Sequence, residues 1–346
     1  MAARYEGVQA LRAAAALLVL LAHAGFVTPA GWEWLRPWCD GGGAVGVDIF
    51  FVLSGFVIAL SADRPETTAK RFLLDRATRV LPLYVVMSVP FLGSGPFDWR
   101  ELWNTFAFLP VFDHGAYTAP AHDFGWSVAM ELWLYLAFAA ALRWAPAGRQ
   151  TAFFAAAAAL LVLASCLHRG TWLLPRFVGS PVVLEFLAGV ALYRCRSWLG
   201  PRASALAPAG VVGVAMAAGD LPFLGYYNFT LAVPELALLR VAFWGVPAAM
   251  LTAGVVALDR LGARWPAPLV GLGDRSYSLY LVQPFAIHAC ASVPWPHWLL
   301  GWGALLALGL LLAHASHRWI ERPATERLRA IFRPAERGGA SALRPA

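Results

Sequence analysis

Apolar residues along this chain come in runs of about twenty, the length a helix needs to cross the hydrocarbon core of a bilayer. Short clusters of arginine, glycine and proline separate the runs. Ten are legible, at roughly 8–26, 45–62, 79–95, 124–143, 151–167, 178–194, 204–219, 237–258, 274–292 and 298–316. The pattern predicts an all-α polytopic membrane protein, with about ten transmembrane helices around a central cavity. An even number of spans puts both termini on one side. Twenty-one of the 27 Lys and Arg residues fall in segments on that side, five fall opposite, and Arg12 counts with the membrane. The positive-inside rule then makes both termini cytoplasmic.

Composition sharpens this picture. Of 346 residues, 60% are hydrophobic and only 14% charged, against about 25% charged in soluble domains. The net charge of +7 sits in short loops between apolar runs, not on a solvated face interleaved with aromatics, so its job is topology and nucleic acid is not the expected partner. Cys39, Cys166, Cys195 and Cys290 form no CxxC and no metal-ligand spacing and read as packing residues; the first, second and fourth could face an oxidising compartment. Without an internal repeat or linker the chain is one domain, 1–323, followed by a basic, flexible tail, 324–346, whose first part suits anionic lipid. In the segment 96–123, the Trp- and Phe-rich stretch Phe97–Leu109 suits a helix lying at the interface.

Ionisable groups inside apolar runs then become the candidate chemistry, because they are costly in a membrane and turn toward a cavity or a partner. Arg12 and His23 are separated by ten residues. Eleven helical steps return to within about 20° of the start and rise about 16 Å, so the two are expected to face one cavity from different depths. Two plainer readings compete: a signal peptide cleaved after Ala24, and a snorkelling Arg12 with His23 as a lid. The glycine-rich start of the second run, Gly41–Gly43 and Gly46, suggests irregular backbone near a cavity. Asp48 beyond it is expected either to fix one nitrogen of His23, leaving the other basic, or to cap its helix. Ser54 and Gly55 read as close-packing residues. Arg76 and Arg79, three apart, share a helix face and make a fork for phosphate, or serve as an ordinary positive-inside loop. Ser127, Glu131 and Tyr135 fall four apart on one stripe, Glu185 poses the same question of a buried carboxylate, and His122 and Asp123 are an exposed loop pair that could extend a polar mouth.

Taken together, these blocks resemble the acyltransferase-3 membrane proteins. The matching segments are Arg12-x10-His23, Gly46-Val-Asp-Ile-Phe-Phe-Val-Leu-Ser-Gly55-Phe, Arg76-Ala-Thr-Arg79-Val-Leu-Pro-Leu-Tyr84, Trp126-Ser127-x3-Glu131-x3-Tyr135, Leu272–Leu281 and Ile320-Glu321-Arg-Pro323. Their order and spacing span nearly the whole chain. One pair departs: Gln283-Pro284 stands where the family often has His-Pro. The chain stops soon after its last run, so the soluble hydrolase-like domain of some members is expected to be absent.

The resemblance implies a multi-pass inner-membrane O-acyltransferase that moves an acyl group, acetyl foremost, from cytoplasmic acyl-coenzyme A to a hydroxyl of a carbohydrate or glycoconjugate. It implies no permanently bound cofactor. Arg76, Arg79 and Arg12 would hold the donor, His23 assisted by Asp48 would act as base, and Ser127, Tyr277 or the Gly43 N–H would face the oxyanion, with Glu131 lining the same cavity. The rival from another class is a proton-coupled transporter, since intramembrane Arg, His, Asp and Glu also describe proton relays.

Overall fold

The computed structural model describes residues 5–64, 67–92, 99–113, 116–118, 120–122, 124–167, 173–220 and 233–332. It is built of helices, in order α1 (Glu6–Ala22), α2 (Arg36–Ala62), α3 (Ala69–Ser88), α4 (Trp99–Phe106), α5 (Gly125–Trp144), α6 (Gln150–Leu167), α7 (Leu173–Val178), α8 (Val183–Cys195) and α9 (Leu206–Asp220). Then come α10 (Pro234–Arg240), α11 (Val246–Arg260), α12 (Ala267–Asp274), α13 (Ser276–Ala291), α14 (Trp298–Ser316) and α15 (Arg322–Phe332). One antiparallel hairpin, β1 (Val111–Asp113) with β2 (Ala116–Thr118), interrupts the all-α expectation. It follows α4, which occupies part of the expected interfacial stretch.

Among the described residues, six helical stretches are long and apolar enough to cross a membrane: Gly43–Ala62, Gly125–Trp144, Gln150–Leu167, Pro175–Trp198, Pro234–Arg260 and Trp298–Phe332. Each overlaps one of the ten expected runs. The runs near 8–26, 204–219 and 274–292 are helices of only 17, 15 and 16 residues, and α3 carries charges along its first half.

Helix α2 is the central element and packs against α1, α8, α9 and α11. The glycines at its start do not loosen it, because Gly43 and Gly46 lie within the helix and let it touch α1. A Cβ on Gly43 would stand 2.2 Å from the Ala22 nitrogen, and one on Gly46 2.3 Å from the Ala15 oxygen. The pairing 43 with 22 and 46 with 15 makes the two helices antiparallel. At the far end, Gly55 does serve close packing: a Cβ there would meet the Phe186 carbonyl of α8 at 1.9 Å.

Two π-helical turns break the α-helices. Val241–Gly245 joins α10 to α11, and His317–Glu321 joins α14 to α15. Such turns cluster at functional sites, and here each adjoins a buried charged side chain, Arg240 in the first and Glu321 in the second. Helix α15 does not hang free, since Thr325 Oγ1 donates to the Thr78 carbonyl of α3 at 3.2 Å. Glu321, just before it, accepts from Ser278 Oγ at 2.5 Å and meets His317 Nδ1 at 3.0 Å. Cys39, Cys166, Cys195 and Cys290 form no disulfide with one another.

Candidate active site

Five helices enclose a cavity of about 120 Å³, and four of the charged groups singled out by sequence, Arg12, Arg76, Arg79 and Glu131, converge on it. Arg12 comes from α1, Ser54 from α2, Arg76 and Arg79 from α3, Ser127, Glu131 and Tyr135 from α5, and Tyr277 and Tyr280 from α13. The four-residue spacing on α5 therefore does what a helical stripe should, turning all three polar side chains to one space. Glu131 is the carboxylate that holds this wall together, accepting hydrogen bonds from Ser54 Oγ and Tyr135 OH. Ser54, read as a packing residue, is thus also a ligand of Glu131. Arg76 donates to Ser61 Oγ at 2.7 Å and lies over the rings of Phe72 and Tyr135 at 5.4 and 5.5 Å. Three guanidiniums and one carboxylate face the cavity, so its field favours an anionic ligand.

At the other end the cavity closes on hydroxyls and an aromatic ring. Ser127 Oγ and Tyr280 OH lie 2.6 Å apart, one donating to the other, and the Phe124 carbonyl, 3.2 and 3.1 Å from them, accepts from the one whose proton is not so used. The Phe124 ring stands 5.5 Å from Tyr280 and 4.6 Å from His23.

His23 itself does not line the cavity, contrary to the expected shared face with Arg12. The reason is local: α1 ends at Ala22, and the chain leaves His23 into a 3₁₀ turn, Ala24–Val27, so regular helical spacing stops one residue short. His23 packs instead against the Phe124 ring. Its Nδ1 lies 2.7 Å from the Val19 carbonyl. A carbonyl only accepts, so Nδ1 carries the proton of the neutral ring and the lone pair is on Nε2.

The tautomer of His23 is therefore set by its own helix and not by Asp48. Asp48 is fully buried and gives both oxygens to Arg240, which donates from Nε and Nη2 at 2.9 Å each. With Gly43 beside Ala22 and Gly46 beside Ala15, Asp48 sits at or below the level of Ala15, about 12 Å along the axis from His23. Nor does Asp48 cap its helix, which begins twelve residues earlier at Arg36. Arg240, one of the five arginines that the charge tally put opposite the termini, is instead wholly inside the bundle, with the Trp126 and Trp244 rings 5.8 and 5.2 Å away. Glu185 is buried within electrostatic reach of both partners. The signal that could have found Arg240 was a charge inside its own apolar run, between Leu239 and Val241.

The remaining sequence candidates resolve individually. His122 is not an exposed loop residue: it is buried, its Nε2 2.8 Å from the Leu281 carbonyl, and burial pushes its pKa down to about 4. Asp123 lies outside the described residues. Gln283 donates to the Ala16 carbonyl at 3.2 Å and ties α13 to α1. The Gly43 N–H belongs to a regular helix and does not face the cavity lining.

Comparison with known proteins adds a family to this geometry. A family model described as an acyltransferase domain, the acyltransferase-3 model, matches residues 5–317. The exopolysaccharide production protein ExoZ of Rhizobium meliloti is 30% identical over 83% of this chain and 91% of its own length. The peptidoglycan O-acetyltransferase OatA of Listeria monocytogenes is 27% identical over 91% of this chain, which spans about half, 55%, of that relative. No solved structure gives a significant match.

Proposed function

This chain belongs to the acyltransferase-3 family and is a multi-pass membrane acyltransferase, and from that premise we propose that it takes an acyl group, acetyl foremost, from cytoplasmic acyl-coenzyme A and transfers it to a hydroxyl of a surface or exported polysaccharide. The names of the two relatives, one concerned with exopolysaccharide and one with O-acetylation of peptidoglycan, support the acceptor class. The transporter alternative finds no support in the family match.

The observation that carries the reading is the cavity's order of groups. Arg76 and Arg79 line both this cavity and the space beside it, Arg12 and Glu131 line it as well, the Ser127 and Tyr280 hydroxyls meet on it about two helical turns along α5 from Tyr135, and the Phe124 ring packs against both Tyr280 and His23. In this scheme the arginines hold the phosphates of the donor at the cytoplasmic mouth, and the thioester arm extends toward Ser127 and Tyr280. His23 Nε2 removes the proton of the acceptor hydroxyl, and the oxygen attacks the thioester carbonyl. The C–S bond then breaks, the acyl group stays on the acceptor oxygen, and the thiolate leaves and is reprotonated. The Ser127 and Tyr280 hydroxyls offset charge on the tetrahedral oxygen once a proton turns from the Phe124 carbonyl toward it. The acyl end must pass Phe124 to meet His23, so its ring is the one that moves. Both termini lie on the cytoplasmic side of the inner membrane in this reading.

The test is His23→Ala in purified protein, with acetyl-coenzyme A, a defined oligosaccharide acceptor and thiol release as readout. Removing a positioned base should slow transfer by about 10²–10⁴-fold and leave donor binding intact. Parental turnover in the variant would remove His23 from the chemistry.

A further inference from the structure

Next to the cavity already described lies a second, larger space of about 330 Å³, reached through Arg76 and Arg79, which line both. Its charged lining comes from three separate stretches of chain. Arg64 follows α2, while Arg71, Asp75, Arg76 and Arg79 belong to α3, and Arg329 is carried in from α15. Nothing in the apolar pattern predicts that last contribution, because residues after 323 read as a flexible tail. The structure docks them through Thr325 on the Thr78 carbonyl, with the preceding π turn tied down by Glu321.

The charge is in excess of what a pyrophosphate needs. Among the described residues the lining carries five guanidiniums and one carboxylate, whereas a pyrophosphate bridge carries about two negative charges and a phosphate monoester adds about 1.5 to 2 more. Arginine is also the side chain whose fork matches phosphate oxygens in pairs. Resting on the acyl-coenzyme A reading above, we infer that this vestibule is the seat of the donor's nucleotide end. Arg76 and Arg79 take the pyrophosphate at the junction of the two spaces, and Arg64 and Arg329 take the 3′-phosphate. The C-terminal helix is then part of the donor site. The enzyme selects 3′-phosphorylated coenzyme over its dephospho form.

The same guanidiniums could instead meet phosphate from lipid headgroups, and the experiment separates the two sources. Full-length protein in nanodiscs, with and without anionic lipid, is titrated with coenzyme A, dephospho-coenzyme A and adenosine 3′,5′-bisphosphate. The parent should prefer coenzyme A to its dephospho form by tenfold or more, and should bind adenosine 3′,5′-bisphosphate in either lipid. Arg329→Ala and Arg64→Ala, both at exposed positions, should bring that preference close to one while changing dephospho-coenzyme A affinity by less than twofold. Arg329→Gln should behave like the alanine variant. A preference unchanged in both alanine variants overturns the inference, as does an Arg329 effect that appears only with anionic lipid and is blind to the 3′-phosphate. If the parent binds no coenzyme at all, the donor reading fails with it. If binding depends on Arg76 and Arg79 but not on Arg64 or Arg329, only the vestibule assignment fails.

Discussion

Two of the groups of charged side chains among the described residues differ in what surrounds them. Around Asp48 and Arg240 the charges close on one another, with both carboxylate oxygens engaged and neither side chain exposed. Around Arg12, Arg76, Arg79 and Glu131, three cations face one anion across open space bordered by hydroxyls. A matched, enclosed pair fixes how helices meet, because separating it strands a charge in an apolar medium. An unmatched set around a cavity recruits a ligand of opposite sign. Burial alone therefore does not mark chemistry in this protein; imbalance does.

The comparison can be broken first at the closed pair. Asp48→Ala leaves the Arg240 guanidinium buried without its carboxylate and should cost the fold about 3–5 kcal/mol. Asp48→Leu combined with Arg240→Met, which removes both charges, should recover most of that loss. Thermal unfolding of the purified variants reads both values. A stable Asp48→Ala protein that lacked only turnover would move Asp48 into the other group.

At the open set the expectation reverses. In Glu131→Gln the new side-chain oxygen still accepts from Ser54 and Tyr135, so stability should stay within about 1 kcal/mol of the parent. The cavity loses its one anion, and turnover should fall about 100-fold, the scale of a lost electrostatic contact at a reacting centre. Measuring unfolding and thiol release on the same preparation tests this. Unfolding of the variant would make Glu131 a structural carboxylate like Asp48.

The smallest effect concerns His122, buried with no role in either group. Its folded pKa of about 4 lies below the ordinary value near 6.5, so the unfolded chain binds the extra proton first. Stability attached to the neutral ring is complete above pH 6.5 and is lost as pH falls toward 4. Between pH 7 and 5.5 the loss should be about 1 kcal/mol. His122→Asn, which does not titrate in that window, should flatten the decline, and an identical slope in the variant would assign it to another group.

Much of the cavity wall was legible in advance because it depends on spacing within single helices. The three-residue step from Arg76 to Arg79 and the four-residue steps from Ser127 to Tyr135 are intrahelical geometry, and all five lie on the cavity. Arg12 is similarly given by a charge in an apolar run. His23 escaped the same logic because its helix stops one residue before it. The pairing of Asp48 with Arg240 joins residues 192 apart in sequence, a distance at which no periodicity carries information. Ser54 looked like a small packing residue because its partner, Glu131, is supplied by another helix.

By itself, the sequence determined which segments are apolar enough to enter a membrane, which charges lie inside them and which family pattern they follow. Those properties are local, set by composition and by 100° per residue. Only the tertiary structure decided which buried charges cancel and which remain in excess. It sorted Asp48 to Arg240 instead of His23, packed His23 against the Phe124 ring, and brought Arg329 from the chain's end over the vestibule. The physical reason is that a charge in an apolar medium is satisfied by whichever group packing brings within a few ångströms, and that choice is made by helix-to-helix contact.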